Sequence, residues 1–194
     1  MIKYEHPPKS ATGLFLLAVP ESLASQIYRQ HGIEPTAAER QSGFWYCVWK
    51  YNLPITLTEG AKKAACLLSH GEIAVALPGV WNGLRSQDGQ GRAVRPHLIP
   101  ELQVFATAGR TVTFCFDHDT RPQTVAQVRQ ALYRTGLLLR REDCHVQIRS
   151  LPGPEKGVDD FVARRGYEAL AQQARLQRLR VKEVIQKVRQ IQLG

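Results

Sequence analysis

An α/β fold built on a parallel sheet of four strands is predicted by three features of the chain. Short strand-like runs recur at residues 55–58, 73–77, 111–116 and 145–148. Stretches with helical periodicity alternate with them, at residues 61–69, 96–105 and 124–139. Glycine or acidic residues follow the runs, as turns do where a strand feeds a helix. Such units cross over right-handedly, so the strand C-termini lie along one edge. Ligands of open parallel sheets bind at that edge.

The elements justify themselves in order. Residues 13–19 (GLFLLAV) form a short apolar run ended by Pro20, a candidate strand. Residues 21–31 read as a helix stopped by Gly32, and residues 36–49 as a second one. Thr36 is a candidate cap for the second helix, with Glu39 three residues on. That helix carries Phe44, Trp45, Tyr46 and Trp49, an aromatic cluster able to stack on bases but more often found in a core. ITLT (residues 55–58) reads as the first sheet strand, and AKKAACLLS (residues 61–69) as a helix ended by His70 and Gly71. IAVAL (residues 73–77) is a buried-type strand closed by Pro78 and Gly79. Residues 82–95 read as a glycine-rich polar loop, and residues 96–105 as a helix with Pro96 near its start. TVTFCF (residues 111–116), a long amphipathic helix and residues 145–148 complete the pattern. Residues 1–52 are thus an N-terminal α+β extension, residues 53–166 the sheet domain, and residues 167–194 a basic C-terminal helix. The tail holds Arg175, Arg178, Arg180, Lys182, Lys187 and Arg189, with Val181, Val184, Val188 and Ile191 at helical spacing. It can pack on the domain, pair with another helix or lead into a further region.

Composition narrows the partners. The chain has 194 residues, 26 Lys+Arg against 17 Asp+Glu, and a net charge of +9. A basic surface attracts phosphate backbones. No apolar run is long enough to cross a bilayer. Residues 1–10 are polar and contain proline, unlike a signal peptide, which points to the cytoplasm. Cys47, Cys66, Cys115 and Cys144 form no CxxC pair, which argues against a zinc site or a disulfide framework. The absence of GxxxxGK[ST] excludes a P-loop ATPase within this chain.

The chemistry is expected at the strand ends. Glu59-Gly60 follows the first sheet strand, and Asp117-His118-Asp119 follows the third. Lys156-Gly157-Val158-Asp159-Asp160 follows the fourth. Converging carboxylates repel one another and raise their pKa values, so a divalent cation is their natural occupant, Mg²⁺ or Mn²⁺. Asp117 and Asp119, two residues apart on an extended segment, can reach one metal. Gly60 allows a tight turn into the next helix, whose N-terminal N–H groups suit phosphate. Lys62 and Lys63 lie in that first turn, where a cation opposes the helix dipole unless an anion offsets it.

These motifs carry a resemblance. Thr58-Glu59-Gly60, Asp117-His118-Asp119 and the Leu77-Pro78-Gly79 loop resemble the TOPRIM domain of primases and topoisomerases. The strings ITLTEGAKKAACLLSHG, VALPGVWNG and KGVDDFV resemble more closely a cyanobacterial group of TOPRIM-like domains. Those domains stand at the front of plasmid-replication primase–helicase proteins and are catalogued as a domain of unknown function. The resemblance covers about residues 3–165. It implies a Rossmann-like sheet, with Glu59 as general acid/base and Asp117 and Asp119 as Mg²⁺ ligands. Asp159 and Asp160 are further metal candidates. Gly60, Lys62, Lys63, Gly79 and Lys156 are candidates for phosphate or nucleic-acid binding. Lys62 and Lys63 depart from bacterial primases, where this turn often carries an acid. The implied partners are single-stranded DNA, nucleotides and a helicase on a longer chain or a separate protein. The implied activity is primase-like nucleotidyl transfer in plasmid or phage replication, with a TOPRIM nuclease or a non-catalytic DNA-binding module as the alternatives. A phosphatase of the haloacid-dehalogenase type fits poorly, because Arg121 stands where such enzymes carry Thr or Val. No tyrosine is marked as a topoisomerase nucleophile; Tyr133 and Tyr167 lack any sign of activation.

Overall fold

A computed structural model describes residues 13–178. The elements in chain order are α1 (Glu21–Gln30), α2 (Ala37–Gln41), α3 (Phe44–Lys50), β1 (Ile55–Glu59), α4 (Ala61–Ser69), β2 (Ala74–Leu77), β3 (Leu84–Gln87), β4 (Ala93–Leu98), α5 (Pro100–Phe105), β5 (Thr111–Cys115), α6 (Pro122–Arg141), β6 (His145–Ser150), α7 (Val158–Arg165), α8 (Tyr167–Gln173) and β7 (Arg175–Arg178). The fold is mixed α/β, with a five-stranded, mostly parallel sheet in the order β2-β1-β5-β6-β7. Four strands are parallel and β7 is antiparallel to β6.

The sheet core follows from the apolar runs. Leu57, Val75, Val112 and Phe114 are fully buried on strands covered on both faces, as parallel sheets require. The connection through α4 runs from β1 to β2, and the one through α6 runs from β5 to β6 in the opposite direction along the sheet. With right-handed crossovers the two helices lie on opposite faces. α7 packs against α4 and α8 against α7, while α6 packs on β6 and β4. The order therefore reverses between β1 and β5, which opens a crevice at their C-terminal ends.

Several elements depart from the sequence reading. Among the described residues, the apolar run at residues 13–19 makes a single antiparallel bridge, Phe15 to Ala76, at the edge of β2. Residues 36–49 form two helices rather than one. Gly43, at φ +98°, breaks the chain between them. The cap on α2 is as read: Thr36 N–H donates to Glu39 Oε2 at 2.6 Å and Glu39 N–H to Thr36 Oγ1 at 3.4 Å. The glycine-rich loop is a hairpin of β3 and β4. Asp88 Oδ1 accepts from Gln90 N–H and Arg92 N–H to close it, and the Asp-Gly turn signal for it stands in the sequence. Pro96 lies in β4, and the helix starts instead at Pro100.

The tail is corrected as well. The helix from residue 167 ends at Gln173, because Ala174 is extended (φ −74°, ψ 127°). Arg175–Arg178 then adds to the open edge of β6 as a fifth strand. Unpaired edge groups of a sheet recruit any chain that reaches them, and this outweighs the helical pattern of the sequence. Val181, Val184, Val188 and Ile191 lie outside the described residues. Among the described residues, no helix is long and apolar enough to cross a membrane.

Candidate functional site

The crevice between β1 and β5 is where the predicted acids meet. Glu59 is the last residue of β1, half-buried and level with Leu77 of β2. Asp117 lies two residues past the end of β5, which pairs with β1 through Thr58 and Cys115. Burial pushes the Glu59 carboxyl above its usual range, and the nearby Asp117 charge adds to the shift. Lys63 and Lys156 act in the opposite direction. Among the described residues, no side chain hydrogen-bonds or ion-pairs with the Glu59 carboxylate.

Gly60 makes the turn that follows. Its φ of +85° is open to glycine at little cost, and its N–H donates to Leu77 O at 2.9 Å. α4 begins at once, so Lys63 folds back over the strand end. Its Nζ lies 3.0 Å from Asp117 Oδ1 and donates to Glu59 O at 3.1 Å. Asp117 Oδ1 is buried and meets this ammonium as an ion pair without hydrogen-bond geometry. Lys62, three-quarters exposed, pairs with Asp159 Oδ2 at 3.1 Å. That contact ties the first turn of α4 to the first turn of α7.

The other candidates are placed differently. β5 ends at Cys115, so the alternation that would aim Asp117 and Asp119 together does not extend to them. Asp119 instead turns to Arg121, whose side chain donates to Oδ2 at 2.8 Å and to Oδ1 at 3.2 Å. Arg121 N–H also donates to Oδ1, at 2.8 Å. These donors hold the Asp119 carboxyl down at about 2. Lys156 is exposed, and its carbonyl accepts from His118 N–H at 2.7 Å, which pins the loop before α7 to the Asp117 segment. Asp160 is exposed on α7. Gly79 lies two residues past β2, and its carbonyl accepts from Asn82 N–H at 2.9 Å. Among the described residues, no three His, Cys, Asp or Glu side chains gather in an arrangement that holds a metal. The edge is a mixed field in which three acids face Lys63, Lys62 and Arg121.

A family model described as a domain of unknown function, DUF3854, matches residues 44–169. The chain belongs to the DUF3854 family. It is also 42% identical over 173 residues to an uncharacterized protein of Picosynechococcus sp. (strain ATCC 27264 / PCC 7002 / PR-6). That alignment covers 87% of this chain and 17% of the relative, so the chain spans about a sixth of the relative's length.

Two features of this DUF3854 chain escape sequence reasoning. One is a cavity of about 430 Å³ beside the crevice. Phe116, Val128, Leu132 and Ile148 line it with apolar surface, and Asp117 and Arg129 also face it. The other is a polar network across the sheet. Glu72 accepts from Thr56 Oγ1 at 2.5 Å, from Arg149 Nη1 at 2.8 Å on each of its oxygens, and from the Tyr167 hydroxyl at 2.9 Å. Tyr167 stacks on His70, with ring centroids 4.7 Å apart. Burial and Glu72 push the Tyr167 hydroxyl upward, the opposite of an activated nucleophile. No local signal marks this network, because its members come from residues 56, 72, 149 and 167. The aromatic cluster divides: Phe44 is buried and Trp45 partly so, while Tyr46 and Trp49 are exposed at 37% and 43%.

Proposed function

We propose that this chain is a TOPRIM-like, divalent-metal-dependent nucleic-acid-processing domain that carries out primase-like nucleotidyl transfer in DNA replication. One observation carries the reading. Glu59 and Asp117 sit side by side in the crevice where the strand order reverses, and the Glu59 carboxyl, which no side chain among the described residues engages, is pushed upward. The proposed partners are single-stranded DNA and nucleotides in the cytoplasm, with a helicase on the same or another chain. The basic charge of +9 supports the nucleic acid. The cavity next to Asp117, where apolar side chains alternate with charged and polar ones, supports a nucleoside, having the size of small-molecule sites.

The donor set bears on the metal. Mg²⁺ is commonly bound through one or two carboxylates plus substrate phosphates, and it keeps several waters. Glu59 and Asp117 fit that pattern. Asp119 and Asp159 are engaged with Arg121 and Lys62, and they fit it less well. When bound, such an ion stabilises the charge that develops on the attacking and leaving oxygens. The chain's own residues do the rest. Glu59, with its raised pKa, takes the proton of the attacking hydroxyl. The N-terminus of α4, with Lys156 beside it, holds phosphate oxygens.

A second reading is favoured by the ion pairs. Lys63, Lys62 and Arg121 neutralise three of the acids, as a non-catalytic DNA-binding module would tolerate. One assay separates the two: purified chain with single-stranded DNA, nucleotides and Mg²⁺ or Mn²⁺, with synthesis and cleavage read together. Glu59→Gln is expected to keep DNA affinity and lose about 10²-fold or more in turnover, the scale of a general acid/base. Normal turnover by the variant removes Glu59 from the mechanism. DNA binding without turnover in the wild type supports the binding module.

A further inference from the structure

Lys63 occupies the place that the proposed function asks a divalent cation to fill. Its Nζ touches Asp117 Oδ1 at 3.0 Å and Glu59 O at 3.1 Å, and both partners of the ion pair are sheltered, at 19% and 15% exposure. Helix physics argues against a cation here, because Lys63 is the third residue of α4 and the first turn carries the positive end of the helix dipole. The carboxylate and the carbonyl hold it instead. Gly157 makes room for the stem: a Cβ there would meet Lys63 Cε at 2.7 Å. The ammonium neutralises Asp117 Oδ1 without completing a hydrogen bond to it. A lysine is a compact charge on a flexible stem and can leave by rotamer change alone.

We infer that Lys63 is a built-in counter-cation that a divalent metal displaces from Asp117, and that the released ammonium turns to a phosphate oxygen of the nucleic acid. The inference rests on the metal reading above. Two cations in contact with one carboxylate repel each other, so metal and ammonium exclude one another at Asp117. Once displaced, the ammonium lies near the N-terminus of α4, where the helix dipole already favours a phosphate. Metal and nucleic acid therefore load together, each raising the other's affinity by the same factor. With neither bound, the ion pair keeps the two acids from repelling each other and holds the seat closed.

Calorimetric titration with Mn²⁺ tests this on the full chain, with and without saturating octathymidylate. Lys63→Met is expected to bind Mn²⁺ about tenfold tighter than wild type, the order of a solvent-screened contact between two unit charges. Octathymidylate is expected to tighten Mn²⁺ binding by about fivefold or more in wild type, the lower range of coupling between sites, and by less in Lys63→Met, where only phosphate shared with the metal couples the two. Lys63→Gln, which keeps a donor for Glu59 O, serves if the Met variant melts early, and it should show the same gain. Lys63→Met/Asp117→Asn should lose the gain. Equal or weaker Mn²⁺ binding by the neutral variants overturns the inference and leaves the metal reading standing. Absence of Mn²⁺ binding in every variant overturns both.

Discussion

Arg110 joins the N-terminal helices to the sheet, and its replacement by methionine tests how much of the fold depends on it. The side chain is fully buried. Burial pulls the guanidinium pKa down to about 10, which leaves it charged at neutral pH. Its Nη1 donates to Val48 O at 3.1 Å and Leu53 O at 2.5 Å, its Nη2 to Trp49 O at 3.0 Å, and its Nε to Thr107 Oγ1 at 3.2 Å. Val48 and Trp49 lie in the last turn of α3, whose carbonyls lack helical partners and favour a cation. Methionine keeps the stem and removes every donor. Val48 O keeps a bond from Leu53 N–H at 3.1 Å, and Trp49 O keeps one from Asn52 N–H at 3.2 Å. Among the described residues, Leu53 O has no second donor. One orphaned carbonyl costs about 1–3 kcal/mol and the lost charge-assisted bonds add to it, giving a loss of about 3 kcal/mol. For a domain of this size that lowers Tm by about 6–12 °C. Urea unfolding followed by the fluorescence of Trp45 and Trp49 measures it. A loss under about 1 kcal/mol refutes the reasoning. Arg110 precedes β5 and Asp117 follows it, about 17 Å of strand apart, so Mn²⁺ binding should not change.

Two further outcomes follow from the site. The Glu59 carboxyl is raised above its ordinary 4.5, so its contribution to stability is full below that pH and is lost as pH rises through the folded-state value. Without divalent metal, Glu59→Gln should therefore melt higher than wild type at pH 7.5, with the difference shrinking below pH 4.5; equal melting at both pH values contradicts the burial of that charge. Affinity for single-stranded DNA should fall with salt at a log–log slope of about −0.7 per phosphate contact. Removing residues 179–194, while sparing the sheet strand Arg175–Arg178, should flatten that slope if the tail touches DNA; an unchanged slope assigns the contacts to the domain surface.

The sequence by itself determined the elements whose signals are local. Four β-rich runs became four parallel strands, because their β-branched and apolar side chains suit a sheet covered on both faces. Thr36 and Glu39 specified their own cap, and Gly60 its own turn, because capping and positive φ are settled within a few residues. The nearness of Glu59 to Asp117 was also legible, since neighbouring parallel strands end at one edge. Tertiary structure alone decided the rest. The tail became a fifth strand because the free edge of β6 offered hydrogen bonds that no helix pattern reveals. Glu72, Arg149 and Tyr167 met because the sheet and α8 bring residues far apart in sequence to one point. Asp119 turned to Arg121 and Asp117 to Lys63 because, once a strand has ended, nearby donors rather than the two-residue alternation direct a carboxylate. A buried charge must find an opposite charge or a hydrogen bond, and which one is within reach is a property of three-dimensional distance.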